Sequence, residues 1–392
     1  MRIGIDARFL THPQPGGFKT YTENLIEALA KIDSENQYIL YLDRKPREQD
    51  KIPRQPNFEL CIVSGVLPLV GLPWREQVGL ARQIARDRID LFHAPCLTAP
   101  LRLSCPLVIT VHDMIWAFPE KYSRSSSLSI KRRLMEWYNY WIPKYAIQRS
   151  SAIITVSYSA QETIVQYFKL TTNNIYVTHE AAGSSFCRIT NRRLLKEQHR
   201  KHALPDSFIL AIGSADPRKN IKTLVQAYSL LSDELRNKYH LVIVWTHSFL
   251  AEELLKLIDN LGIGGTVHFL QNISNDDLAA LYNVASLFVF PSHYEGFGLP
   301  LLEAMSCGVP VAAADNSSIP EIVGDAALFF DSQDVNGMSN MIRTVLTDES
   351  ISNCLRNEGL KRSAQFSWKK CGRETVAVYA QVLDKKTVGR LA

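Results

Sequence analysis

PSHYEGFGLPLLEAMSCGVPV, residues 291–311, packs a loop, a helix and the start of a strand into one short stretch. The apolar run 287–290 before it reads as a buried strand, which Pro291 ends. YEGFG, residues 294–298, is a loop with two glycines. A helix follows over 299–307, with Pro300 in its first turn, where a missing N–H costs little. Gly308 and Pro310 break that helix before the next apolar run, 309–313. Strand, glycine loop, helix and strand in this order make a parallel βαβ unit.

The same alternation extends in both directions. Upstream, apolar runs at 2–5, 38–42, 58–63, 89–93, 107–111, 152–156 and 175–178 read as strands, with helical patterns at 21–32 and 76–87. After a polar, basic stretch, 188–201, the pattern restarts with strands at 208–212, 241–244, 266–270, 287–290, 309–313 and 327–330. Helices are expected at 223–230, 251–261, 276–282 and 299–307, and a last amphipathic one at 369–383. The expected fold is therefore α/β, with two doubly wound parallel-sheet domains in series. The expected boundaries are 1–183, a linker 184–200, 201–365, and a tail 366–392. Ligands of such sheets bind beyond the carboxyl ends of the strands, so two facing domains would enclose a cleft.

Length and composition agree with that frame. The chain has 392 residues, enough for two domains of ordinary size. Hydrophobic residues make up 46% and charged residues 21%, too apolar for a disordered chain. A net charge of +5 over this length is weak grounds for nucleic acid and suits small polyanions or an acidic surface. The 7 cysteines are widely spaced with no C-x-x-C, so neither a disulfide framework nor a thiolate zinc site is expected. The start, MRIGIDARFL, lacks a signal-peptide core, and no run approaches a membrane span. A reducing cytoplasm is the expected compartment, with the oligomeric state left open.

Four places carry chemistry. The loop 294–298 is expected to present backbone N–H groups at a helix N-terminus, a ready anion site, and Gly296 and Gly298 allow close approach. Glu295 and Glu303 are eight apart, one in the loop and one in the helix. Beside an anion they make sense as partners of sugar hydroxyls; otherwise Glu303 only solubilises its helix. GSADPRKN, 213–220, follows a strand and offers Arg218 and Lys219, a pair suited to a diphosphate or else a solvated pair, with Asn220 placed to cap the next helix. In TVHD, 110–113, His112 stands at a strand's carboxyl end beside Asp113, and His93 in LFHAPC stands similarly. Each is equally readable as a structural histidine. Near the N-terminus, Gly16 and Gly17 precede a helix, with Lys19 close by. This is neither G-x-x-x-x-G-K-[ST] nor G-x-G-x-x-G, so a P-loop and a nicotinamide site are both rejected. The ten histidines show no metal-ligand spacing.

EGFGLPLLEAMSCGVPV resembles the donor-site signature of retaining GT-B glycosyltransferases, glycosyl transferases group 1 (glycosyltransferase family 4), with the E-x7-E spacing at Glu295 and Glu303. The likeness extends over residues 285–292, SSIPE at 317–321, residues 324–330 and F-S-W at 366–368. It implies two Rossmann-like domains facing across a cleft, with a last helix crossing back to the first. It further implies hexosyl transfer from a nucleotide diphosphate sugar to an acceptor hydroxyl, with retention. Glu295, His112 and Lys219 would be catalytic. The N–H groups and side chains of Gly296, Phe297, Gly298 and Leu299 would meet sugar and diphosphate, Glu303 the ribose, and His112 the donor sugar. Gly16, Gly17 and Lys19 match a loop crossing the cleft; His93 and Asp113 are carried as substrate contacts. No cofactor and no divalent metal would be required, since helix dipole and basic groups neutralise the diphosphate.

The chain departs from the family's G-R-x-x-x-x-K-G: Ser214 stands where its arginine would be, which leaves Lys219 firm and Arg218 a candidate replacement. The PRKN form and the HD pair resemble those of mannosyl- and rhamnosyl-type transferases of surface polysaccharide assembly, a likeness that implies a lean to GDP-mannose, with UDP-sugars open. A sugar-nucleotide epimerase, a phosphorylase or a non-catalytic sugar-nucleotide binder would share the architecture. Residues 129–150 interleave Lys131, Arg132, Arg133, Lys144 and Arg149 with Trp137, Tyr138, Tyr140, Trp141 and Tyr145. That suits either weak peripheral contact with an anionic membrane or a helix that packs on the core and touches a sugar or lipid-linked oligosaccharide acceptor. The second reading is preferred.

Overall fold

The computed structural model describes residues 1–13, 16–65, 71–118, 130–246 and 252–391, with side chains of 130–132 and 386–391 left aside. The chain divides into two compact units, Met1–Glu180 with Ser367–Ala392, and Ala181–Phe366. Residues 184–200, read from sequence as a linker, belong to the second unit, and Arg192–Lys201 is a helix capped by the Asn191 side chain. A polar, basic stretch of this kind reads as a connector in sequence.

The first unit holds a seven-stranded sheet: β1 (Arg2–Asp6), β2 (Gln37–Leu42), β3 (Phe58–Ile62), β4 (Leu91–Ala94), β5 (Leu107–Val111), β6 (Ala152–Thr155) and β7 (Ile175–Val177). Their order is β3-β2-β1-β4-β5-β6-β7, with every pair parallel. The second unit holds β8 (Phe208–Gly213), β9 (His240–Trp245), β10 (Val267–Leu270), β11 (Leu287–Phe290), β12 (Val311–Ala314) and β13 (Ala327–Phe330). Their order is β10-β9-β8-β11-β12-β13, again all parallel. Central strands of such sheets are covered on both faces, which is why β5 (LVITV) and β11 (LFVF) are apolar at every position but one and buried throughout.

In each sheet the strand order reverses once, between β1 and β4 and between β8 and β11. At a reversal, the loops leaving adjacent strands diverge to opposite faces and open a crevice at the carboxyl edge. The loops after β8 and β11 are GSADPRKN and PSHYEGFG. Topology alone therefore sets the two motifs side by side, although about seventy residues separate them.

The last helix, Trp368–Leu391, belongs to the first unit and lies on the helix Gly17–Ile32. The approach is close: a Cβ on Gly372 would sit 3.0 Å from Ile32 Cδ1 and 3.2 Å from the Ala28 methyl. Gly71–Trp74, Arg75–Leu80 and Ala81–Arg86 run on as helix, with a π turn in the middle segment. That turn carries Arg75 and Glu76, both fully buried. Arg75 pairs with Asp6 at 2.9 Å and donates to the Val63 carbonyl at 2.8 Å. Glu76 accepts from Arg8 at 2.7 Å, Thr98 at 2.6 Å and Tyr138. Buried charges survive only when paired and hydrogen-bonded, and here the whole set is. It braces the carboxyl end of β1.

Candidate active site

In the second unit, β8 ends at Gly213 and the chain turns through Ser214–Asp216. Asp216 accepts from the Arg218 N–H at 2.9 Å and opens the short turn Pro217–Lys219. Asn220 then adopts a left-handed backbone, φ +53°. Its side chain donates to the Pro291 carbonyl at 2.9 Å and the Ser332 carbonyl at 2.7 Å. It precedes the helix Ile221–Ser229 as expected, but its side chain makes no capping bond. Instead it ties the loop after β8 to the loops after β11 and β13.

Across the crevice, the loop after β11 is fixed at its backbone. The Glu295 N–H donates to Ser317 Oγ at 3.0 Å, and Ser318 Oγ donates to the carbonyls of Glu295 (3.0 Å) and Phe297 (2.8 Å). Gly298 takes φ +107°, a conformation L side chains avoid, and leads into the helix Leu299–Cys307 with Pro300 in its first turn. Within that first turn Pro300 has no N–H and the Leu301 N–H donates to the Gly298 carbonyl at 2.9 Å, which leaves the Leu299 N–H without an intrahelical acceptor.

The two loops meet at Glu295. Lys219 Nζ donates to Glu295 Oε1 at 2.7 Å and Arg218 Nη1 to Oε2 at 3.0 Å. Burial by itself would raise the Glu295 carboxyl; the charges of Lys219 and Arg218 outweigh it and hold the group below the usual carboxylate range. Arg218 also donates to the Tyr294 carbonyl at 3.1 Å and to Asp216 at 3.2 and 3.3 Å, while its own carbonyl accepts from the His293 N–H at 2.8 Å. Arg218 thus clamps one loop to the other. Lys219 spends one of its three donors on Glu295 and stands 5.4 Å from the Phe290 ring centre. Glu303 is buried in the helix Leu299–Cys307, with Tyr282 Oη 3.5 Å from Oε2.

In the first unit, His112 follows β5. Its Nδ1 lies 3.1 Å from Glu180 Oε1 and its Nε2 3.2 Å from the Pro95 carbonyl, with the rings of Phe18 and Tyr21 edge-on to it.

Two family models divide the chain between them. That of Glycosyltransferase Family 4 matches residues 15–181, and that of Glycosyl transferases group 1 matches residues 195–362. The O-antigen chain mannosyltransferase B of Escherichia coli is 34% identical over 296 residues, 75% of this chain and 75% of that one. The chain belongs to this GT-B glycosyltransferase family. Among solved structures, the sucrose-phosphate synthase of Thermosynechococcus elongatus has the same fold, with a TM-score of 0.76 over 98% of this chain and 100% of that one at 20% identity. So does Anabaena HepE in complex with UDP-glucose, with a TM-score of 0.73 over 97% and 99% of the two chains at 17% identity.

In this glycosyltransferase, Arg218, Lys219, Glu295, Gly296, Phe297, Gly298, Leu299 and Glu303 all lie in the two loops flanking the β8/β11 reversal and the helix that follows. Gly16, Gly17, Lys19, His112 and Asp113 lie in the other unit. Gly16 and Gly17 are exposed at the start of their helix. Lys19 Nζ donates to the His12 carbonyl at 2.7 Å and stands 3.6 Å from Glu23, so it braces its own loop. Asp113 Oδ1 accepts from the Ile115 N–H at 3.0 Å, closing a turn.

One expected contact is corrected. His93, expected from the sequence as a substrate contact, has a fully buried side chain, with Nδ1 2.6 Å from Tyr379 Oη and Nε2 2.8 Å from Thr110 Oγ1. Burial pushes its pKa down to about 3 and keeps it neutral. The last helix covers it, which sequence position at a strand end could not reveal. Sequence reading also missed the brace of Asp6, Arg8, Arg75, Glu76 and Thr98. The one available signal was the charged pair in GIDAR, directly after an apolar strand. Ser317 and Ser318 were noticed only as part of SSIPE; their work on the Glu295 loop needs coordinates.

Proposed function

We propose that this glycosyltransferase moves a mannosyl group from GDP-mannose to an acceptor hydroxyl in glycan or polysaccharide synthesis, with retention at the anomeric carbon. The observation that carries the proposal is the Lys219–Glu295–Arg218 cluster, set where two loops of a parallel sheet diverge and beside a helix N-terminus that no side chain caps. Arrival of a diphosphate gives Lys219 a second anion, and its unspent donors take phosphate oxygens. The N–H groups near Gly298 and Leu299 share the charge that grows on the leaving diphosphate as the glycosidic bond lengthens. With these cations and the helix end in place, the reading calls for no divalent metal. Arg218 works as the loop clamp, so it does not replace the arginine missing at Ser214. Glu303 takes the ribose hydroxyls, and His112 the donor sugar.

Glu295 has both carboxylate oxygens engaged by cations, which lowers its nucleophilicity. Its role in the proposal is to orient the sugar and balance oxocarbenium charge, while a leaving phosphate oxygen takes the acceptor proton. Mannose is preferred because a 34%-identical relative is a mannosyltransferase. Cytoplasmic placement belongs to the same proposal, since a chain with seven cysteines and no C-x-x-C suits a reducing compartment. The test incubates the full chain with GDP-mannose, UDP-glucose or UDP-N-acetylglucosamine and an oligosaccharide acceptor, and reads the products by NMR. An α-linked mannoside and free GDP are expected. Epimerised nucleotide sugar without transfer, or transfer only from a UDP donor, would refute it.

A further inference from the structure

The helix Ile130–Arg149 is apolar on two sides. One side is core: Tyr138, Ile142, Ala146 and Ile147 are buried, and Tyr138 Oη bonds Glu76 and Gln77 beneath it. The other side is exposed among the described residues. Trp137 is 61% exposed, Leu134 57%, Tyr145 45% and Trp141 37%. A contiguous exposed patch of large apolar side chains marks contact with a partner or a membrane. At 3.6 residues per turn these four side chains fall within an arc of roughly 80°, along a ridge of about 16 Å. Trp141 and Tyr145 stack at 6.1 Å, so the ridge is preformed and loses little rotamer freedom on contact.

Charge follows the same geometry. By helical spacing, Arg133 and Lys144 flank the arc on one side and Arg149 on the other, while Glu136, the helix's only acid, projects well away from it. Arg133 and Arg149 are exposed. Lys144 Nζ sits 3.8 Å from the Tyr140 ring centre and 5.2 Å from that of Trp141, its stem laid along the aromatics. An aromatic ridge with basic flanks matches the acyl boundary and headgroups of an anionic leaflet. A second copy of this chain fits less well, because a two-fold contact would set basic flank against basic flank. Among the described residues no helix is long and apolar enough to cross a membrane, so the contact is with the surface.

We propose that the face formed by Leu134, Trp137, Trp141 and Tyr145, flanked by Arg133, Lys144 and Arg149, docks this glycosyltransferase peripherally on an anionic lipid bilayer. Such docking would bring a lipid-linked acceptor to the unit that carries the helix. It draws on nothing in the donor site, so the two readings fail separately.

The test sediments the full chain with phosphatidylcholine vesicles, with and without phosphatidylglycerol, while following tryptophan emission. Binding to the anionic vesicles with a blue shift is expected, falling on the order of fivefold for each basic residue removed in R133Q and R149Q and weakening with added salt. W137S/W141S should stay in the supernatant while keeping the wild-type melting temperature and GDP-mannose binding. Folded wild-type protein left in the supernatant would overturn the proposal. So would undiminished vesicle binding by W137S/W141S, or a wild-type dimer that this double variant dissolves.

Discussion

Lys219 and Arg218 are neighbours in sequence and both reach Glu295, yet their surroundings assign them different work. Lys219 has donors to spare and an aromatic wall behind it, whereas Arg218 is committed to Asp216, Glu295 and the Tyr294 carbonyl. Lys219→Ala should therefore lower kcat by about two to three orders of magnitude, as loss of an oxyanion stabiliser does elsewhere, with the circular dichroism spectrum unchanged. Arg218→Ala should instead loosen the 293–298 loop and raise the donor KM more than it lowers kcat. Steady-state kinetics on both variants separate the roles, and equal losses in kcat for the two would contradict the division. GSADPRKN and the E-x7-E spacing made these residues legible as candidates. Which one ties the two loops together was not legible, because Asp216 and Tyr294 enter only through folding.

At the scale of elements, the strand pattern was readable because parallel strands covered on both faces are short and apolar, as at 107–111 and 287–290. Their ends and the helices after them were readable from proline and glycine. The π turn at Arg75–Leu80 was not, since its polar residues look like an ordinary solvent-facing helix until Asp6 and Thr98 are known to lie beneath them. Gly298 is the element joint that sequence and structure both mark. A methyl there would meet Leu301 Cδ1 at 3.0 Å with the backbone already at φ +107°. Gly298→Ala should destabilise the protein by about 1–3 kcal/mol and displace the N–H groups at Leu299. A thermal melt and a donor-binding assay check this, and a variant with both unchanged would show that the loop tolerates a side chain.

Across the whole chain, the last helix makes the first unit discontinuous: Tyr379 closes over His93 from nearly three hundred residues away. Sequence pattern gave the helix, and F-S-W the expectation that it crosses back, but not the histidine beneath it. The contact has a pH signature. His93 is neutral in the folded protein down to about 3 but titrates near 6.5 when unfolded, so the unfolded state takes up the extra proton as pH falls. Its contribution to stability is complete above about 6.5 and shrinks steadily toward 3. His93→Asn should be less stable than wild type at neutral pH, with the gap between their melting temperatures narrowing between pH 6.5 and 4. A gap that stays constant would mean His93 is not buried in its neutral form.

The most direct measurement is a calorimetric titration of GDP-mannose into the intact chain and its Lys219→Ala variant. The account predicts saturable binding by the wild type and about a hundredfold weaker binding by the variant, on the scale of a lost charged hydrogen bond. Equal affinity in the two proteins, or no binding of any sugar nucleotide by the folded wild type, would contradict it.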